Sequence, residues 1–176
     1  MNLRSISVCL AIMALLNLST PLLAAAGHSY SEYIEAGHQM IKDKKYTNGE
    51  RYAFGAVTML EEKVIKKQSV PTAGKDQYLL TLLPTLFNSC LRHKLRQLKH
   101  DQRTAGGQTL VKQDDDDDDP KGKMDDPQVR ALYTQTDVML RRVYNAYRVL
   151  FGDRSPITAA AGREVIEVEN ALKSGG

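Results

Sequence analysis

Cys90 is the only thiol after residue 26, and His28, His38, His93 and His100 are the only imidazoles of the chain. A thiol becomes a nucleophile when a helix N-terminus or a cation lowers its pKa. Cys90 instead stands between Phe87 and Leu91 on an apolar run, which predicts a buried structural thiol. The histidines form no HExxH or CxxCH pattern, so no metal site is expected from them. Cleavage after Ala25 would expose Ala26-Gly27-His28, an amino-terminal copper or nickel chelator, as a minor alternative. The run Asp114 to Asp119 is the most conspicuous acidic feature. Calcium loops alternate ligands with spacers and require a turn glycine and a bidentate glutamate; an unbroken run supplies neither and reads as a solvated loop. There is no glycine-rich phosphate loop, nucleophile elbow or Ser-x-x-Lys pair, and Glu61, Glu62, Glu164 and Glu167 read as acids on solvated helix faces. No catalytic residue, cofactor or metal is therefore expected, and the chain is read as a non-enzyme.

The groups left for recognition are cations and tyrosines. Arg92, Lys94, Arg96, Lys99 and Arg103, with His93 and His100, cluster just before the acidic stretch. Residues 101–126 hold nine acids and four bases, which leaves 19 bases and 12 acids on the rest of the chain after residue 26, a surplus of seven positive charges. An acidic segment folded over this basic cluster, competing with an anionic partner, is one expectation. The whole chain balances 24 Lys and Arg against 21 Asp and Glu, too small an excess for a nucleic-acid binder. Eight tyrosines against three phenylalanines and no tryptophan suggest polar-aromatic contacts: Tyr133, Tyr144 and Tyr147 on one helix, Tyr30, Tyr33, Tyr46 and Tyr52 on the first hairpin. The partner-binding candidates are Tyr133, Tyr144, Tyr147, Arg92, Lys94, Arg96 and Lys99, with core packing, hydroxyl at the surface, as the default reading of the tyrosines.

These residues must be positioned by helices, because every long apolar pattern after Ala26 has three- and four-residue steps and none alternates. The spacing predicts a helix over 29–43 with Tyr33, Ala36, Gly37, Met40 and Ile41 inside, and a second over 47–67 on Tyr52, Ala53, Ala56, Val57, Leu60 and Val64. A third, over 76–100, is the most apolar, and Pro84 within it predicts a kink or a junction of two helices. Residues 101–126 have almost no large apolar side chain and are expected to be a disordered loop. A fourth helix over 127–151 starts with Asp126 as cap and Pro127 at its first position, and ends at Gly152 in a left-handed cap. Ser155 and Pro156 open the fifth, on Ile157, Ala161, Val165, Val168 and Leu172.

Ala36-Gly37, Met40, Tyr46, Gly49 and Ala56, with Tyr33, fall at the spacings at which a tetratricopeptide repeat carries its small pair, large residue, turn aromatic, small residues and first aromatic. Gly49 stands where alanine is usual, Phe54 is one step from the expected aromatic, and the closing proline is missing. The stretch from Tyr144 through Leu150-Phe151-Gly152-Asp153-Arg154-Ser155-Pro156 to Thr158-Ala159 resembles the junction between repeats of the kinesin-light-chain type, with Ser155 in place of histidine. The two matches cover about half of the chain after residue 26. The resemblance implies an all-α fold of stacked antiparallel hairpins, about two and a half repeats, with a peptide or protein segment bound on the concave face. An up-and-down helical bundle is the alternative.

Met1 to Arg4 is weakly positive, residues 5–26 carry no charge, and Pro21 to Ala26 ends in small residues. That layout is a secretory signal peptide cleaved after Ala26, or after Ala25, which predicts a secreted or periplasmic protein without stable membrane contact. Retention of residues 5–26 as an anchor is the alternative, and Cys9 lacks the preceding small residues of a lipoprotein signal. The units expected are residues 1–26 for export, 27–100 and 127–176 as helical parts, and 101–126 as the acidic insertion. The function expected is a protein–protein interaction module. A membrane-anchored envelope bundle and an exported helical enzyme are the alternatives.

Overall fold

The computed structural model describes residues 29–71, 73–105 and 124–174, which contain five α-helices and no strand. They are α1 (Tyr30–Lys42), α2 (Tyr46–Ile65), α3 (Gly74–Ala105), α4 (Pro127–Phe151) and α5 (Pro156–Ser174). The signal-like segment and the aspartate run lie outside the described residues.

Local chemistry sets the helix boundaries. Ser29 and Glu32 form a reciprocal capping box at the start of α1. The hinge to α2 is short enough that Lys44 takes a positive φ of 60°. Asp126 accepts the backbone N–H of Gln128, and Pro127 occupies the first helical position of α4. That capping hydrogen bond, followed by one from Gln102, holds the Asp126 carboxyl below its ordinary pKa. Gly152 ends α4 with φ 83° and ψ 162°, so the expected positive φ is present but the backbone is extended rather than left-handed helical.

Two expectations for α3 are corrected. No junction of two helices occurs at Pro84, since α3 is one helix through it, and α3 continues past His100 to Ala105, taking the first five residues expected in the acidic loop. Proline cannot donate to the carbonyl four residues back, which orphans the oxygen of Leu80. The fully buried hydroxyl of Tyr147 donates to that oxygen at 2.7 Å. A donor from another helix thus replaces the missing N–H, and the helix continues on both sides of an interior proline. Burial raises the Tyr147 hydroxyl well above the ordinary tyrosine pKa, which keeps it a donor.

The α1–α2 hairpin closes on two glycines. A Cβ on Gly49 would stand 2.7 Å from Ile41 Cγ1 and 3.2 Å from the Gly37 oxygen; one on Gly37 would stand 3.3 Å from the Gly49 oxygen. A side chain at Gly49 would force Ile41 to move, and one at Gly37 would press on Leu86 and the Gly49 carbonyl, so the crossing favours glycine. The stripe of α1 is rotated from the expected one: Ile34 is fully buried, while Ala36 and Met40 are only half-buried.

Cross-helix contacts fix the helix directions. Ser31 bonds Asp76 and Gly37 faces Leu86, so α1 and α3 run parallel. Asn88 bonds Glu164 and Arg92 pairs with Glu167, so α5 runs parallel to α3. Leu80 meets Tyr147 and Gln102 meets Asp126, so α4 runs opposite to α3, as α2 does to α1. The helices form two layers, α1, α3 and α5 in one and α2 and α4 in the other. Helix α3 packs against all four others, whereas no Cα of α1 lies within 8 Å of one in α4 or α5, and none of α2 within 8 Å of α5; the Tyr30 side chain of α1 nevertheless reaches the electrostatic surroundings of Tyr147 on α4. One core fills the space between the layers, centred on Ile34, Leu60, Leu80, Leu83, Leu140, Val143 and Tyr147.

Candidate functional site

The open side of the three-helix layer is built around α3. Tyr78, Leu82, Thr85, Ser89, Arg92, Arg96 and Lys99 recur at three- or four-residue steps and so share one face. Tyr78, Arg92, Arg96 and Lys99 are exposed, and Leu82, Thr85 and Ser89 are half-buried between the flanking helices. Three hydroxyls beside or on this stripe are anchored on their own helix: Thr81 donates to the Tyr78 oxygen, Thr85 to that of Leu82 and Ser89 to that of Thr85. Their lone pairs remain available as acceptors. Along the edges of the face, Glu35 of α1 pairs with Lys75, and Asn88 and Arg92 reach Glu164 and Glu167 of α5. These contacts hold the three helices at fixed spacing. The face combines an aromatic ring, hydroxyls and guanidinium groups, which equips it for hydrogen bonding and shape recognition.

The sequence candidates divide over this geometry. Arg92, Arg96 and Lys99 lie on the face, but Lys94 turns toward α2 and pairs with Glu50 at 2.7 Å. Tyr133 and Tyr147 are buried in the core and do not offer a binding surface, a correction to their expected role. Both follow the core stripe of α4 with Thr136, Leu140 and Val143. Tyr144 is half-buried, its ring lying close over Gly162 and 5.7 Å below the Arg148 guanidinium. Of the first-hairpin tyrosines, Tyr30 and Tyr33 are core residues. Tyr78, 59% exposed at the start of the face, was not singled out by the sequence. Its place three residues before the half-buried Thr81 and four before Leu82 is the signal that marks it. For Tyr147 the signal was Pro84, because an interior proline implies an orphaned carbonyl four residues earlier.

Three acids read as solvated, Glu61, Glu164 and Glu167, are cross-helix partners. Glu61 of α2 takes the Arg142 guanidinium in two-point fashion, Nε to Oε1 at 2.8 Å and Nη2 to Oε2 at 2.6 Å. The same guanidinium lies 5.1 Å from the Phe54 ring centre, and the Glu61 hydrogen bond holds its pKa above the ordinary value. This cluster ties α2 to α4. Glu164 is the second, through Asn88, and Glu167 the third, through Arg92.

Cys90 is buried as expected, 3.6 Å from the Tyr46 oxygen, and burial pushes its pKa up to about 12. The His93 ring stacks on Tyr46, centroids 3.7 Å apart and planes 10° from parallel. Burial, and then the Arg96 charge, lower the His93 pKa. Among the described residues no group of three or more His, Cys, Asp or Glu side chains is placed to hold a metal. None of their helices is long and apolar enough to cross a membrane. No protein-family model, curated protein or solved structure matches the chain.

Proposed function

We propose that the chain is an exported helical-repeat module of the tetratricopeptide kind that binds a peptide or protein segment across the open face of α1, α3 and α5. The observation that carries this reading is the layer order. Alternate helices run parallel, each hairpin stacks on the next, and the backbone of the first helix does not pack against that of the fourth or fifth. An up-and-down bundle would bring its first and fourth helices together. The glycine crossing of Gly37 and Gly49 supports the same reading, because it lies at the small positions of the repeat pattern. Binding here means complementarity to Tyr78, Leu82, Thr85, Ser89 and Arg92, with no bond made or broken.

The test is selection of displayed peptides on the purified chain, followed by titration of a selected peptide against Thr85→Arg/Ser89→Arg. Loss of affinity by about tenfold or more, with an unchanged far-ultraviolet circular dichroism spectrum, supports the reading. Peptides that bind both proteins equally would remove the face from consideration. Export is tested separately by N-terminal sequencing of the protein recovered outside the cytoplasm, which is expected to begin at Gly27.

A further inference from the structure

We infer that an acidic segment of a partner polypeptide binds at a shelf where the last turns of α3, carrying the Arg96 and Lys99 end of the open face, meet the α1–α2 turn. Tyr46, the first residue of α2, is seated on His93 by their ring stack. Helix α3 then continues for twelve more residues to Ala105, about 18 Å of helix. Leu95 is the buried residue of that overhang, while Arg96, Gln97, Lys99 and His100 are exposed on it. Lys44 and Lys45, immediately before Tyr46, are exposed at the foot of the shelf.

Of the local acids, Glu50 holds Lys94, whereas Asp43 accepts from the Gln39 amide and Asp101 lies 3.6 Å from His100, so these two keep their charge. Lys44, Lys45, Arg96 and Lys99 have no ion-pair partner among the described residues. These four cations outnumber the two carboxylates beside them, Asp43 and Asp101, and stand on two elements joined by a ring stack, which leaves a positive surplus for negative charge. Arg96 and Lys99, three residues apart, are separated by about 4.5 Å along the axis. Side chains on one side of an extended chain recur about every 6.7 Å, within reach of such long cations.

The chemistry favours a polypeptide over a membrane. Surface binding to lipid combines cations with inserted apolar side chains, and the large exposed apolar residues are elsewhere: Ile65 ends α2, Tyr78 begins α3, Val138 and Val149 are on α4, and Ile166 is on α5. It also favours a polypeptide over a nucleic acid, whose binding requires many more phosphate contacts than four cations supply.

The experiment is fluorescence anisotropy of a fluorescein-labelled peptide of alternating Glu and Ser, titrated with the full chain at low salt. Saturable binding that salt weakens is expected, and the Gln-Ser peptide is expected not to bind. Lys45→Glu/Arg96→Glu should weaken binding by about tenfold or more. Lys66→Glu/Arg154→Glu, with the same charge change at the other end of the molecule, should change it less than about twofold. Should the first pair unfold the chain by circular dichroism, Lys44→Gln/Lys99→Gln replaces it. Equal losses in both pairs, equal binding of the Gln-Ser peptide, or no binding would overturn the inference. So would tighter, Lys45/Arg96-dependent binding of phosphatidylglycerol vesicles or duplex DNA. A large gain in affinity on replacing Asp114 to Asp119 by asparagine would also overturn it, by naming the chain's own run as occupant. Thr85→Arg/Ser89→Arg, about two to three turns before Arg96 on the same helix, should not weaken this binding, so loss of peptide binding at Thr85 and Ser89 and loss of acidic-peptide binding at Lys45 and Arg96 are distinguishable.

Discussion

Tyr147 has one partner that no ordinary core tyrosine would need, the Leu80 carbonyl orphaned by Pro84. Tyr147→Phe keeps the ring and leaves a buried acceptor unsatisfied, so it should destabilise by about 1–3 kcal/mol in urea unfolding. In a Pro84→Ala background the backbone N–H returns to the Leu80 oxygen, and the same change should cost clearly less. Equal costs in the two backgrounds would refute the pairing. Cys90 gives a second prediction: with its pKa pushed up to about 12, it should resist a thiol reagent in the native protein and react once urea unfolds it. His93 sets a pH dependence. Its folded pKa is lowered, chiefly by burial, so the folded state prefers the neutral ring. Its contribution to stability is complete above the ordinary histidine pKa of about 6.5 and is lost as pH falls through the lower folded value. Thermal unfolding of His93→Gln should therefore lose part of the acid sensitivity of the parent.

The helices themselves were largely legible. The cap and proline at Asp126-Pro127 and the glycine after Phe151 predicted the limits of α4 to the residue, because capping is local chemistry written in adjacent side chains. The ends of α3 were not legible, since its continuation past His100 follows polar residues that carry no apolar period, and its passage through Pro84 depends on a side chain 63 residues away. Gly37 and Gly49 were readable as small positions; that the crossing favours glycine at both required the distance between two helices. Gly49→Val should therefore destabilise by about 2–3 kcal/mol and loosen α1 before the rest. Between α2 and α4, Arg142→Lys should cost about 1 kcal/mol, because an ammonium cannot reproduce the two-point hold on Glu61 or the contact with Phe54.

At the scale of the molecule, the charge of the chain conceals local pairing. The cations before the acidic stretch looked like one patch in sequence. Folding divides them by helical phase: Arg92 and Lys94 are committed to α5 and α2, and Arg96 and Lys99 remain. Pairing partners from other helices cannot be read from a linear run, which is why that site was only half visible. The tyrosine set failed for the opposite reason, as the aromatic residues that looked adaptable were needed to fill the space between layers. The layer order also makes the molecule unequal in its resistance to opening. Helix α3 is held from four sides, while α1 and α5 are each held by only two neighbours. Amide exchange should then be slowest in the middle of α3 and fastest at the two outer helices. During synthesis α1 and α2 leave the ribosome before the helix that completes their shared core, so the early hairpin spends that interval as an exposed, loosely held unit.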